Sequence, residues 1–360
     1  MPANMGSGLL RIVSGRPPLP RRGGRLSWFE IALFAGCAAF VATGLAPALA
    51  DVAVLTFLFA GLALAWNIAG GYAGLLSFGH AAFFGIGAYA STVLLLEYEV
   101  TPWLGILASA AAAAAAGALL ALVCARLKGP FFILSTLAFA EVVRITALNA
   151  AFTGGPEGLS IAPVPSFKNM VLATKPQYAA LMLGYMVLVY AVTRTLEGSR
   201  LGFYLFAVRD NDEAAAAGGI DPLAVRVVAM ALSAALTGIG GTLFAQYFLY
   251  LDPTYVISPE LSFQFALLPA VGGLGTAIGP VLGSLLITPL SELLRSGLGS
   301  AAAGLHLVIY GLGLIVVMLF FPTGLAGALS RLQPTPGQSR PRPARPGHTT
   351  PAQPERRPPP

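Results

Sequence analysis

Charge is what this sequence has least of. Only 10% of its 360 residues are Asp, Glu, Lys or Arg, against about 25% in soluble domains. A soluble globular fold is excluded. Cysteine is nearly absent: Cys37 and Cys124 are the only two, both inside apolar runs, so neither implies a disulfide. Lysine occurs at 128, 168 and 175 and never follows a glycine. With no G-x-x-x-x-G-K-[ST], the chain has no P-loop for ATP. There is no H-E-x-x-H and no Cys/His cluster, so no metal site is legible. There is no G-x-S-x-G elbow, and His306 and His348 stand alone. These absences leave almost no material for enzymatic chemistry. No catalytic residue, metal or cofactor is expected, and the chain is read as no enzyme.

Long apolar runs are what it has instead. The chain is 56% hydrophobic, with mean hydropathy +0.76. Crossing a bilayer takes about 20 apolar residues. By that measure spans fall at 28–49, 52–70, 76–96, 102–125, 130–149, 177–194, 224–250 and 304–321. A longer region, 262–294, is interrupted by glycines. The expected fold is an all-α polytopic bundle of about 8–10 spans. A β-barrel would show alternating segments of about ten residues, and none is seen.

The charges sort to the ends. Residues 1–27 hold five Arg and no acid, and residues 331–360 hold six Arg and one Glu. The net +6 therefore lives in the termini. A basic tail usually suggests nucleic acid or anionic lipid. Here the better reading is the positive-inside rule, with both termini in the cytoplasm, membrane lipid around the spans and no nucleic-acid partner. Arg126 and Lys128 then fall inside, Glu97 and Glu99 outside, and the charged stretch 194–226 inside. Two cytoplasmic ends need an even number of crossings. Region 262–294 must then cross twice with short segments, or dip in and cross once more elsewhere, with GGLGTAIGP (272–280) as the break. The tail, with PRPARPGHTTPAQPERRPPP, is too rich in proline to fold. Ala48-Leu49-Ala50 looks like a signal-peptidase site, but the apolar run before it is too long for one.

Polar residues inside the apolar runs are the candidates for function. In GYAGLLSFGHAAFFGIGAYA (71–90), Ser77, Ala81, Gly85 and Ala88 would share one face of a helix, a small-residue stripe that admits a close neighbour. His80 borders that face. It either hydrogen-bonds neighbouring backbone or stands with Ser77 near a permeation path. Glu141 and Arg144 lie within a span, where a charge costs a few kcal/mol unless paired or wet. At i, i+3 they can pair, or Glu141 faces a polar cavity. Asn67 carries the same two readings. The loop SRLGFYLFAVRDNDEAAAAGGID (199–221) is expected to hold one short helix, around 209–219. Asp210, Asp212 and Glu213 would occupy its first turn and Gly219 its C-terminal cap. Such a helix is built to be gripped by a partner, or is an amphipathic connector.

These segments resemble the permease subunits of ABC importers for branched-chain amino acids, specifically the LivM-like subunit. Seven blocks match in order between about residues 50 and 327: GYAGLLSFGHAAFFGIGAYA, KGPFFILSTLAFAEVVRI, TGGPEGL, LGFYLFAVRDNDEAAAAGGID, ISPELSF, VGGLGTAIGPVLG and FFPTGLAG. Gly218, where the pattern carries a larger apolar residue, Asp221 in place of Asn, and Ser135 beside Thr136 depart from it. The chain is expected to divide into a basic cytoplasmic segment 1–27, a transmembrane permease domain 28–327 with a coupling loop at 195–223, and a disordered Pro/Arg-rich cytoplasmic tail 328–360, the two arginine-rich ends lying outside the resemblance. The resemblance implies half of a heterodimer in the bacterial inner membrane, paired with a second, similar permease. Two ATP-binding subunits would dock on the cytoplasmic face, and a periplasmic solute-binding protein would deliver the solute. ATP would be bound by those partners.

The coupling segment would fit a groove of the ATPase subunit. There Arg209, Asp210 and Glu213 would hold the interface by charge, with Ala215 and Gly219 on the family's pattern. Asn67, Ser77, His80, Thr136 and Glu141 are candidates for the translocation path. The solute expected is a branched-chain amino acid; urea or short amides fit the same architecture. A secondary transporter or channel would need paired intramembrane acids, and a membrane-embedded lipid enzyme using His80 with Glu141 would need a visible motif. The glycine-rich segments 70–88 and 272–283 are expected where helices approach most closely, and an internal repeat could relate them.

Overall fold

A computed structural model describes residues 28–43, 46–124, 126–127, 129–298, 311 and 324–327. Apart from residue 311, the span expected at 304–321 lies outside them, as do segment 1–27 and the tail 328–360. The described chain is a helical bundle. Its helices are α1 (Trp28–Ala42), α2 (Pro47–Asn67), α3 (His80–Tyr98), α4 (Pro102–Val123), α5 (Pro130–Asn149), α6 (Lys175–Glu197), α7 (Arg200–Asp210), α8 (Asp212–Ala217), α9 (Pro222–Phe248), α10 (Pro253–Val256), α11 (Pro259–Gly272) and α12 (Gly279–Leu298). Six of them are long and apolar enough to cross a membrane. Proline sits in the first turn of α2, α4, α5, α6, α9 and α11. There its missing N–H has no helical partner to lose, so it starts the helix cleanly.

The boundaries follow local chemistry. The first span stops at Ala42 rather than 49, because Pro47 begins a new helix and holds Ala46 extended, at ψ 145°. Helix α3 begins at His80, not at 76. The Phe78 N–H goes to Thr136 Oγ1 (3.0 Å) and the Gly79 N–H to Ser77 Oγ (3.2 Å), so neither feeds a helical carbonyl. Region 262–294 is two helices. Between them the chain turns through Gly273 at φ +127° and Gly275 at φ +71°, inside the predicted break.

Helix α2 is the axis. Its apolar stretch is 94% buried, against 22% for α5. Around it pack α6, α12, α9 and α11, while α3, α4 and α9 form a second tight group. Glycine permits that closeness: a Cβ on Gly87 of α3 would run into the backbone of Gly238 on α9. The stripe of α3 behaves likewise, with Ala81 and Ala88 wholly buried and Gly85 against the Ile257 side chain.

Two ends are distinct. At one, the start of α1, the end of α2 and the end of α6 meet. Arg194 binds Glu197 (2.9 Å) and Glu30 (3.5 Å), and the Tyr72 hydroxyl donates to Glu197 (2.6 Å). Helices α7 and α8 lie at this end. At the other end Lys175 pairs with Asp51 (2.6 Å), and Asp51 also accepts from Tyr247. There the two-residue strands β1 (Leu159–Ser160) and β2 (Tyr250–Leu251) pair antiparallel. The six long apolar helices alternate in direction between these ends.

Candidate functional site

The segment between α6 and α9 folds as two short helices where one was expected. Asn211 separates them. Its backbone is extended (φ −162°, ψ 110°), and its side chain accepts from the N–H groups of Glu213 and Ala214 at 2.9 and 3.0 Å. Asp210 is therefore the last residue of α7, not in the first turn of a helix. Asp212 and Glu213 do occupy a first turn, that of α8. Gly219, at φ +83°, closes α8. The Ile220 N–H reaches the Ala215 carbonyl and the Gly219 N–H the Ala216 carbonyl, both at 3.0 Å. That is the six-to-one and five-to-two pattern of a Schellman cap. Ala215 turns inward, while Asn211, Glu213, Ala214 and residues 216–219 are exposed.

Arg209 turns inward as well. Its side chain is 18% exposed, against 69% for Asp210. One guanidinium nitrogen donates to the Gly71 carbonyl (2.9 Å), and the group lies over the Phe206 ring at 4.9 Å. Gly74 and Gly275 make room for it: a Cβ on either would stand 2.8 Å from an Arg209 side-chain atom. Beside it, Arg226 of α9 pairs with Asp212 of α8 at 2.5 Å. A cleft of about 390 Å³ opens here, lined by Gly74, Arg209, Asp210, Asp212, Glu213 and Arg226. Both short helices are thus tied to the bundle by arginines, and α8 leaves a small, acidic face outward.

Gly71 and Gly275 connect this end to the core. After Asn67 the α2 helix widens into one π-turn, Ile68–Tyr72. Asn67 is wholly buried. Its amide nitrogen donates to the Thr276 carbonyl and its oxygen accepts the Gly275 N–H, both at 3.0 Å. Gly71 packs directly on that pair: a Cβ there would collide with the Asn67 oxygen and stand 2.6 Å from the Gly275 nitrogen. The two glycine-rich segments therefore touch each other, and Arg209 reaches both.

Ser77, His80 and Thr136 are also wholly buried. Ser233 Oγ donates to the Ala65 carbonyl (2.6 Å), so it accepts from His80 Nε2 (2.8 Å). That fixes the His80 tautomer with its proton on Nε2. Nδ1 then accepts from Ser77 Oγ at 3.2 Å. Trp66 Nε1 donates to the Ser77 carbonyl at 2.7 Å. Together these bonds fasten the turn before α3 to α2 and α9. Thr136 fastens the same turn to α5.

Glu141 differs from all four. It pairs with Arg144 through both carboxylate oxygens, at 2.9 and 2.5 Å. The two side chains are 43% and 25% exposed on the outer flank of α5. The structure thus gathers Arg209 with Asn67, and Ser77 with His80 and Thr136, while Glu141 stands apart. Sequence reading missed Asn211, Arg226, Ser233 and Thr276. Asn211 had a signal, a capping residue three places before an alanine run. The others find their partners only across the bundle.

The family model described as the permease component of branched-chain amino acid transport systems matches residues 48–318. The chain is 30% identical over 300 residues to the high-affinity branched-chain amino acid transport system permease protein LivM of Escherichia coli, covering 76% of this chain and 69% of that protein. It is 25% identical over 312 residues to the probable LivM of Methanocaldococcus jannaschii, covering 73% and 89%. It is 27% identical over 228 residues to the nucleoside ABC transporter permease NupC of Lactococcus lactis, covering 59% and 71%. No solved structure matches.

Proposed function

The chain belongs to the branched-chain amino acid transport permease family, and on that premise we propose that it forms one transmembrane half of an ABC importer bringing aliphatic amino acids into the cytoplasm. Its partners are a second, similar permease, two ATP-binding subunits and a periplasmic solute-binding protein. It sits in the bacterial inner membrane with both termini in the cytoplasm. The observation that carries the reading is the α7–α8 pair, an exposed, acidic, small-residue surface tied to the bundle by Arg209 and Arg226.

In this reading the ATP-binding subunits grip the α7–α8 pair by Asp210 at the end of α7, and by Glu213 and the small surface around Ala216 and Gly219 of α8. Arg209, expected at that interface, has the opposite task. Its inward guanidinium carries movement of the short helices to the π-turn at Gly71 and to the loop at Gly275. Each of these joins two membrane segments, so a displacement at α8 tilts α2 and α12 as rigid bodies. Asn67, Ser77, His80 and Thr136 hold the moving parts in register, and Glu141 faces the path.

The test is ATP-dependent uptake in proteoliposomes holding this chain with the ATPase, permease and binding proteins encoded beside it. Labelled leucine, uridine and urea are offered in parallel. Leucine uptake that needs ATP supports the reading. Uridine is included because the Lactococcus lactis relative is a nucleoside permease, and uptake of uridine or urea alone would change the solute and keep the importer. Uptake by this chain without ATP would overturn the importer.

A further inference from the structure

The ion pair on α5 is in a place that lipid does not accept. Glu141 is eleven residues into the 20-residue helix, about 17 Å from its start at 1.5 Å per residue, in a hydrocarbon layer about 30 Å thick. Helix α5 is the least buried of the six long apolar helices. Among the described residues it packs on α3 and on the segments 155–157 and 253–256, and these leave its far side uncovered. Pairing lowers the cost of a few kcal/mol that a lone charge would carry at this depth, but lipid offers nothing to the donors and acceptors that the pair leaves unused. A dry protein partner is little better, since a buried ion pair repays its desolvation only with further hydrogen bonds. Water is the surrounding that suits the pair.

We propose that Glu141 and Arg144 form a transit site for the zwitterionic head of an aliphatic amino acid, in a watered path along the outer flank of α5. This deepens the function proposed above and rests on it. The pair has capacity for such a guest. A guanidinium has five N–H donors and a carboxylate about four acceptor positions, and the pair uses two of each. The solute's ammonium adds to Glu141 and its carboxylate to Arg144. Four charges then sum to zero, so nothing charged is left uncompensated at membrane depth. The solute's side chain meets Ala138, Val142 and Ile145. All three are exposed, and at i−3, i+1 and i+4 from Glu141 they flank the acid along the helix. Charge complementarity sets the head and an apolar wall the tail.

The experiment uses the reconstituted assembly with Cys37 and Cys124 replaced by serine. Val142→Cys is exposed to a charged, membrane-impermeant methanethiosulfonate, with and without leucine-loaded binding protein and ATP. Rapid modification that leucine slows is expected. In parallel, Glu141→Gln and Arg144→Gln should each lower leucine uptake about tenfold, as the loss of one charge-assisted hydrogen bond does, with ATP hydrolysis and assembly yield kept. The transit site is overturned if the wild-type assembly imports leucine while Val142→Cys stays unreactive or leucine leaves its rate unchanged. It is equally overturned if both glutamine variants import at the wild-type rate. A wild-type assembly that imports uridine or urea and not leucine overturns the solute of the proposed function and this site with it. The wild-type control keeps the two failures apart.

Discussion

At the scale of single residues, hydrogen-bond accounting does more than charge. Arg209→Ala removes the guanidinium from Gly71 and Gly275 without touching the exposed face of α8. ATP hydrolysis by the assembly should continue while leucine uptake collapses, measured side by side in one vesicle preparation; uptake at the wild-type rate would remove Arg209 from the transmission. Asn67→Ala strands the Gly275 N–H and the Thr276 carbonyl inside the bundle. Each unsatisfied group costs about 1–3 kcal/mol, so the purified chain should melt several degrees lower in detergent. An unshifted melt would mean that water replaces the amide. Asn67 shows how far the sequence could be read at this scale. An asparagine in an apolar run was visible as an anomaly, but its partners lie 208 and 209 residues away, and no spacing rule connects them. The inward turn of Arg209 was hidden for a related reason: a cation in a charged loop looks solvent-facing until the glycines beneath it are placed.

Among the elements, those that depart from the regular helix carry the argument. The π-turn after Asn67 and the break at 273–278 meet at one end, and the α7–α8 pair reaches both. The break was legible, because GGLGTAIGP cannot continue a helix without conformational cost. The π-turn was not, since one widened turn leaves hydropathy unchanged. The division into α7 and α8 turned on Asn211, whose short side chain competes with helical hydrogen bonding. Gly219 offers a clean test. Nothing stands within 4 Å of a Cβ there, so the effect of Gly219→Ala comes from φ +83° alone. A non-glycine residue in that region costs about 1 kcal/mol. The α8 cap should loosen, and binding of the ATP-binding subunits, read by co-purification, should weaken severalfold while the isolated chain folds normally. Unchanged binding would show that α8 needs no fixed cap to be gripped.

For the molecule as a whole, the prediction concerns sidedness. Asp210→Cys and Lys168→Cys lie at opposite ends of the bundle. In intact cells an impermeant thiol reagent should label position 168 and spare 210, and inside-out vesicles should reverse this. Labelling of both from one side would break the alternation of helices described above. Most of this architecture was readable from hydropathy, because a bilayer imposes length on every span. What hydropathy could not rank was depth within the bundle. Helices α2 and α5 are both apolar, yet one is the axis and the other stands half bare. Only packing partners separate them.

The position of Asn67 has a consequence for biosynthesis. Its amide is made 208 residues before the N–H that it accepts. At about 5–20 residues per second, the ribosome needs roughly 10–40 s to deliver Gly275. Throughout that time the axis of the bundle is already in the membrane with an unanswered polar group near its end. Helix α2 tolerates the wait because it is apolar on every side and can rest in lipid before it has neighbours. A chain that terminates before residue 273 never completes the wait. It would insert its early helices normally and still present membrane quality control with an exposed amide, the signature of an unfinished product.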